Sequence, residues 1–226
     1  NTAPAHVSQV HHCSGEGLRT WCFLSEGLES PCLFVVENIC PLKMTTLAHL
    51  IHKDLKQSWS FADITRQLQG RVKKLRMVFI DQENHKDWSM HGVFGKNHNA
   101  AAILLTVIVP GTRKKQRHWT CLLKLNQKPV QFFDSLALPL AELDAMLWDD
   151  GKFTRFLRKI KAARSTKKLQ EDISTVKSCG PWVCVRAAFG IAMNLTNSQF
   201  YHFILSEKGT KPDITCMKLC AIGMLT

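Results

Sequence analysis

The chain has 226 residues, 45% hydrophobic and 21% charged, a composition that buries a full core and excludes collagen, coiled coil and wholesale disorder. Lys and Arg total 30 against 18 Asp and Glu, a net charge of +12 that favours nucleic acid or acidic partners and says nothing of fold. The longest apolar run, 100–110, falls far short of the roughly 20 residues that span a bilayer, so no membrane span is expected.

Nine cysteines, Cys13, Cys22, Cys32, Cys40, Cys121, Cys179, Cys184, Cys216 and Cys220, form no CxxC pair, and their odd number leaves at least one unpaired. In a chain of this size with no leader-like start, the pattern favours thiols used as small core residues in an intracellular, reducing compartment, cytoplasm or nucleus. The start at Asn1 without methionine is expected of a fragment or of a piece released from a longer precursor. No repeat, low-complexity tract or linker divides the sequence, so one domain over 1–226 is expected.

In chain order, 32–37 (CLFVVE) reads as a short buried strand and 44–56 as a helix with Leu47, Leu50, Ile51 and Leu55 on one face. A second helix is expected over 61–68, ended by Gly70, and a strand over 75–80. The polar stretch 81–99, with His85, His91 and His98, reads as an exposed loop. Three strands follow, 101–109, 118–125 and 130–134, joined by tight turns at Pro110–Gly111 and 126–129. His118 then opens one strand and Asp134 closes the next. Helices are expected over 140–148 and 152–164, the second with Phe153, Phe156, Leu157 and Ile160 on one face. After a polar loop, 181–193 (PWVCVRAAFGIAM) is apolar on nearly every side, the mark of a central buried helix, with Pro181 expected at its first position. The fold class expected is α+β: an antiparallel-rich central sheet flanked by helices, with the nucleophile at the N-terminus of the buried central helix.

Cys179 lies where that helix begins, and the unpaired N–H groups and dipole of a helix N-terminus stabilise a thiolate and any oxyanion formed beside it. A thiolate needs a base, and the base an orienting group. His118 and Asp134 stand on neighbouring antiparallel strands joined by a short turn, which brings imidazole and carboxylate to one sheet edge. Cys179, His118 and Asp134 thus form a candidate triad, with the backbone of Gly180 as oxyanion donor.

The series His118-Trp119, Phe132-Phe133-Asp134-Ser135-Leu136 and Ser178-Cys179-Gly180-Pro181-Trp182 resembles the signature of the SUMO-specific (ubiquitin-like) protease and adenovirus protease clan of cysteine peptidases. The resemblance covers 101–195, with the order His, Asp, Cys, and leaves 1–100 unrecognised. It implies a cysteine endopeptidase or isopeptidase acting on a protein substrate, either a polyprotein or a ubiquitin-like conjugate. The missing initiator methionine and the basicity tilt the expectation toward a viral or mobile-element protease cut from a precursor and working in the host cell, ahead of a deconjugating enzyme. The sequence departs from the clan at one point. A glutamine usual six or seven residues before the cysteine is replaced by Ile173 and Asp172, so Ser174 or Gln170 becomes the candidate side-chain donor to the oxyanion. Two other readings share these residues. Bacterial effector acetyltransferases are similar in carrying the same triad order, and an inactive basic binding module would keep the fold without the chemistry.

No cofactor or metal is expected: His11, His12, Cys13, Cys22, Cys32 and Cys40 are too evenly spread for the short ligand pairs of structural zinc sites. Two basic clusters are candidate polyanion-binding surfaces for nucleic acid or an acidic cofactor: Arg113, Lys114, Lys115 and Arg117 before His118, and a helix face with Arg155, Arg158 and Lys159. The sequon at Asn194 is read as chance, because the thiol inventory argues against secretion.

Overall fold

A computed structural model describes residues 21–22, 33–34, 51, 55–68, 74–109, 111–171, 177–206 and 209–225. The chain divides into two compact units, Asn1–His49 and Leu50–Thr226. In the first, strands β1 (Trp21–Cys22) and β2 (Leu33–Phe34) pair antiparallel. The rest of the strand expected over 32–37 lies outside the described residues. So does most of the helix expected over 44–56, of which Ile51 and Leu55 are helical and buried.

The second unit is built on a five-stranded sheet of order β3-β4-β5-β6-β7. Helix α1 (Phe61–Leu68) has the expected bounds, and β3 (Met77–Asp81) runs one residue beyond the expected strand. The stretch 81–99 is not wholly an exposed loop. It contains helix α2 (Met90–Phe94), opened by Ser89, whose hydroxyl accepts the Gly92 N–H at 2.9 Å, and closed on fully buried Val93 and Phe94. A five-residue helix is too short for its periodicity to show.

β4 (Ala100–Ile108) lies between β3 and β5 and runs antiparallel to β5 (Lys115–Leu123), the middle strand, through nine residue pairs. Its side chains alternate between two cores, Ala100, Ala102 and Leu104 to one and Ala101, Ile103, Leu105 and Val107 to the other. A strand covered on both faces reads as one continuous apolar run. β5 begins three residues before the expected start, so His118 is its fourth residue and does not open it. The polar side chains of Lys115, Gln116 and Arg117 hid a backbone ladder that continues to Ile108↔Lys115.

β6 (Gln131–Phe133) pairs antiparallel with β5, and helix α3 (Leu140–Met146) ends two residues early because Leu147 leaves it to bridge Val107. Helix α4 (Lys152–Lys159) stops well short of residue 164. Lys161 takes a left-handed φ of 50°, and the chain turns into β7 (Ala163–Arg164), which pairs parallel with β6. With β3 parallel to β4 as well, the sheet is mixed, with the long β4–β5 ladder and β5–β6 supplying its antiparallel part.

Helix α5 (Cys179–Ala192) starts two residues before Pro181, which is therefore its third residue and not its first. With α6 (Asn197–Leu205) and α7 (Pro212–Leu225) it covers one face of the sheet, together with α1, through Ile64, Trp182, Phe200 and Cys216. The shorter helices α2, α3 and α4 cover the other through Phe94, Leu143 and Phe153. Among the described residues Cys121, Cys179, Cys184, Cys216 and Cys220 are buried and in no disulfide, and no helix is long and apolar enough to cross a membrane.

A cation lies inside this core. Arg186 on α5 is fully buried, with Nε and Nη2 donating to Asn197 Oδ1 at 3.2 and 3.1 Å and Nη2 to Leu195 O at 2.9 Å. Its guanidinium lies 5.0 Å from the ring centre of Phe200 and 5.9 Å from that of Phe133. Burial lowers its pKa to about 10, which leaves it a cation at neutral pH. Gly190 makes the room: a Cβ there would lie 2.0 Å from Arg186 Nη1 and 2.8 Å from Leu123 Cδ1. The held guanidinium cannot swing aside, so Gly190→Ala is expected to destabilise the protein by about 1–3 kcal/mol, the usual cost of overpacking. Urea unfolding checks this, and an unchanged midpoint would show that the arginine is free to yield.

Candidate active site

The site forms where two strands part. β6 pairs only with Cys121–Leu123 of the nine-residue β5, so from Thr120 back toward Lys115 the edge of β5 away from β4 has no partner in β6. Asp134, the first residue past β6, turns across this gap. Its Oδ1 accepts His118 Nε2 at 2.8 Å, and both side chains are buried, 0% and 1% exposed.

Asp134 is fixed from several directions. Oδ1 also accepts the Leu136 N–H at 2.9 Å and Oδ2 the Leu138 N–H at 3.0 Å, so every partner of the carboxylate is a donor. Ser165, just past β7, clamps its backbone: the Asp134 N–H donates to Ser165 Oγ at 3.0 Å, and that hydroxyl donates to Asp134 O at 2.8 Å. Burial alone would raise the Asp134 pKa, but the His118 charge and hydrogen bond and the two backbone donors hold it below the ordinary carboxylate value.

For His118, burial works against the charged ring. The Asp134 carboxylate and its hydrogen bond, with Cys179 beside them, outweigh this and push its pKa up to about 10. Because Nε2 is bound to Asp134, the nitrogen left for chemistry is Nδ1, which is buried. The remaining side chain that acts on the ring is Cys179.

Cys179 is the first residue of α5 and 7% exposed. Burial pushes its thiol pKa up; the hydrogen bond and charge of His118 and the N–H groups of Trp119 and Gly180 pull it down, and the net is a value below an ordinary thiol's. The Trp119 N–H belongs to the stretch of β5 that β6 leaves unpaired, so the strand gap itself supplies a donor to the sulfur. Two other buried thiols shift the opposite way. Burial drives Cys121 to about 12, and burial with Cys220 alongside drives Cys216 well above the usual range.

Gly180 is hemmed in: a Cβ on it would lie 2.7 Å from Cβ of Trp59. Trp59 in turn accepts Trp119 Nε1 on its backbone oxygen at 2.8 Å, so two tryptophans wall the residue next to the sulfur. Of the side chains considered for the oxyanion, Ser174 lies outside the described residues, as do Asp172 and Ile173. Gln170 is 1% exposed, and its Oε1 accepts Ser135 Oγ at 2.7 Å, which secures it one residue from Asp134. Ser165 and Trp59 were not foreseen, and neither sits in a local pattern that would have marked it.

The basic clusters divide. Arg113, at the β4–β5 turn with a left-handed φ of 54°, and Lys114 and Arg117 are exposed. Lys115 is 3.4 Å from Glu83 and lies over the Trp148 ring. On α4, Arg155, Arg158 and Lys159 are exposed opposite buried Phe153, Phe156 and Leu157, but Arg155 donates to Asp150 O and Arg158 pairs with Asp144. Among the described residues no group of three or more His, Cys, Asp or Glu is placed to hold a metal. His11, His12, Cys13, Cys32 and Cys40 lie outside them, as does the side chain of Cys22.

No protein-family model matches the chain, and no curated protein does. Among solved structures, the central domain of the uncharacterized Lpg1148 protein from Legionella pneumophila is similar at 13% identity over 75% of this chain and 99% of that one, with a TM-score of 0.38. ChlaDub1 from Chlamydia trachomatis is similar at 14% identity over 83% of this chain and 80% of that one, with a TM-score of 0.34. Likenesses at this level carry no functional argument.

Removing His118 would leave the burial of Cys179 uncompensated. His118→Ala is therefore expected to raise the Cys179 pKa and slow its alkylation near neutral pH by at least about tenfold, since each pKa unit is a tenfold change in thiolate. Iodoacetamide labelling against pH with peptide mapping reads this directly. Identical profiles for the two proteins would show that the imidazole does not act on the sulfur.

Proposed function

We propose that the protein is a cysteine peptidase in which Cys179 is the nucleophile, His118 the acid and base, and Asp134 the group that orients the imidazole. The observation that carries this is the buried His118–Asp134 pair in the strand gap, with Cys179 at a helix N-terminus beside it and its thiol pKa lowered. The raised His118 pKa and the lowered Cys179 pKa both favour a thiolate beside an imidazolium, the form from which the reaction starts in this reading.

The sulfur attacks the substrate carbonyl carbon, and the carbonyl oxygen takes up the negative charge. The N–H groups of Cys179 and Gly180 are the donors for that oxygen, with Gln170 the described side chain to examine as a third. On collapse the C–N bond breaks, and the Nδ1 proton of His118 passes to the departing amine. This leaves a thioester and a neutral imidazole. His118 then takes a proton from water as the hydroxide adds to the thioester, and release of the acid restores thiolate and imidazolium. Asp134 keeps its proton off throughout and stabilises the charged ring. The substrate is a polypeptide, either a polyprotein precursor, in the setting of a virus or mobile element, or a ubiquitin-like conjugate.

The test is incubation with a panel of ubiquitin-like fusions and a longer precursor, read by intact mass. At least one substrate should be cleaved by the wild-type chain and none by Cys179→Ala. Asp134→Asn should retain a measurable remnant of activity, lower by up to about 10⁴-fold, as when the orienting carboxylate of other triads is lost. Cleavage that survives Cys179→Ala, or a fully active Asp134→Asn, would overturn the reading.

A further inference from the structure

The residue before Cys179 is a serine at the N-cap of α5, and it does not cap the helix. Serine is among the preferred N-cap residues because its oxygen accepts the N–H of the second or third helical residue. In α5 the third residue is Pro181, which has no N–H, so the hydroxyl of Ser178 could cap only Gly180. The backbone of Ser178, φ −86° and ψ 4°, departs from the extended geometry usual at this position, and the side chain makes no capping bond.

The hydroxyl goes elsewhere. Ser178 Oγ donates to Oδ1 of Asp213, near the start of α7 and 35 residues along the chain. The same Oδ1 accepts Trp182 Nε1 at 2.7 Å, and Oδ2 accepts the Glu171 N–H at 2.7 Å. Asp213 is 2% exposed, and its carboxylate accepts from three donors: the N-cap of α5, Trp182 on the first full turn of that helix, and the backbone of Glu171. Within α5 the first backbone bond runs from Trp182 N–H to Ser178 O at 2.9 Å. The N–H groups of Cys179 and Gly180 lie ahead of that bond and are not used by the helix.

We propose that Asp213 is a positioning residue that holds the Ser178 hydroxyl off the N-terminus of α5, so that the Gly180 N–H stays open to the Cys179 sulfur and to the oxyanion. A free Ser178 would compete for that donor with its own oxygen. The carboxylate suppresses the competition by engaging the hydroxyl as a donor, and through Trp182 it fixes the first turn on which Cys179 stands. The proposal rests on the reading of Cys179 as the nucleophile, and it assigns a role to a side chain that touches neither the substrate nor the reacting atoms.

The experiment measures the pH dependence of Cys179 alkylation, mapped by mass spectrometry, in wild type, Asp213→Asn, Ser178→Ala and the double variant. Near-native circular dichroism and continued protection of Cys121 confirm that each is folded. Asp213→Asn places an amide N–H₂ against a donor on one side, loosens the hydroxyl, and is expected to slow alkylation near neutral pH about tenfold by raising the thiol pKa. Ser178→Ala, with no hydroxyl to misplace, should stay within about threefold of wild type. The double variant should recover to within about threefold as well, because the competitor is gone. A merely structural role for Asp213 predicts a double variant as impaired as Asp213→Asn, and that result would overturn the proposal. So would a tenfold loss in Ser178→Ala alone, or an Asp213→Asn indistinguishable from wild type. A wild-type Cys179 no more reactive than an ordinary thiol would instead overturn the nucleophile reading, and this proposal with it.

Discussion

A single hydrogen bond between two side chains withdrawn from water, His118 Nε2 to Asp134 Oδ1, closes the gap where β6 stops pairing with β5. Burial disfavours charge on both groups, and each is tolerated because the other is there. The linkage to stability follows in sign. The folded pKa of His118 is raised to about 10, so its contribution is full below the unfolded value near 6.5 and is lost as pH rises through the folded one. That of Asp134 is depressed, so its contribution is present above the unfolded value near 3.9 and is lost on acidification. The pair thus holds the sheet edge together across the neutral range, where the thiolate and imidazolium of the proposed mechanism would also coexist.

The sulfur is delivered to this pair by a helix anchored at its N-terminus and at its middle. At its N-terminus Ser178 and Trp182 are tied to Asp213 on α7; further along, Arg186 is tied to Asn197 at the start of α6 and to Leu195 before it. Asn197 also donates from Nδ2 to Phe132 O and Ala163 O, on the two strands that flank the Asp134 turn. The helix that carries Cys179 and the strands that carry Asp134 therefore share one buried polar network, and a shift in one moves the other. Such a network is stable only when nearly every member is satisfied, which accounts for the cost of crowding Arg186 at Gly190.

What could be read from the sequence was whatever had a local signal. The apolar helix that begins at Cys179, the strand that leads into Asp134 and the His118 strand each announce themselves within a dozen residues. The errors came where backbone and side chains tell different stories. Polar Lys115, Gln116 and Arg117 concealed the first third of β5, and Lys161 reversed the chain into β7 although lysine seldom marks a left-handed turn. Pro181 looked like a helix start because proline is common there, whereas Cys179 and Gly180 had already entered the helix. Asp213 and Ser165 belong to no motif with the residues they hold, being 35 and 31 residues away from them, and only the fold brings them together.

The surface charge and the buried chemistry are separable. Among the basic side chains, those on α4 are partly met by Asp144 and by the Asp150 carbonyl, while Arg113, Lys114 and Arg117 remain exposed on the hairpin whose second strand carries His118. Charges in water are screened over about 8 Å at physiological ionic strength, but a pair with almost no exposed surface is screened far less. Salt would therefore weaken the attraction of the hairpin for any acidic molecule and leave the proton affinities of His118 and Asp134 nearly untouched. Any dependence of a reaction at Cys179 on ionic strength then belongs to capture of the substrate, and its dependence on pH belongs to the groups in the strand gap.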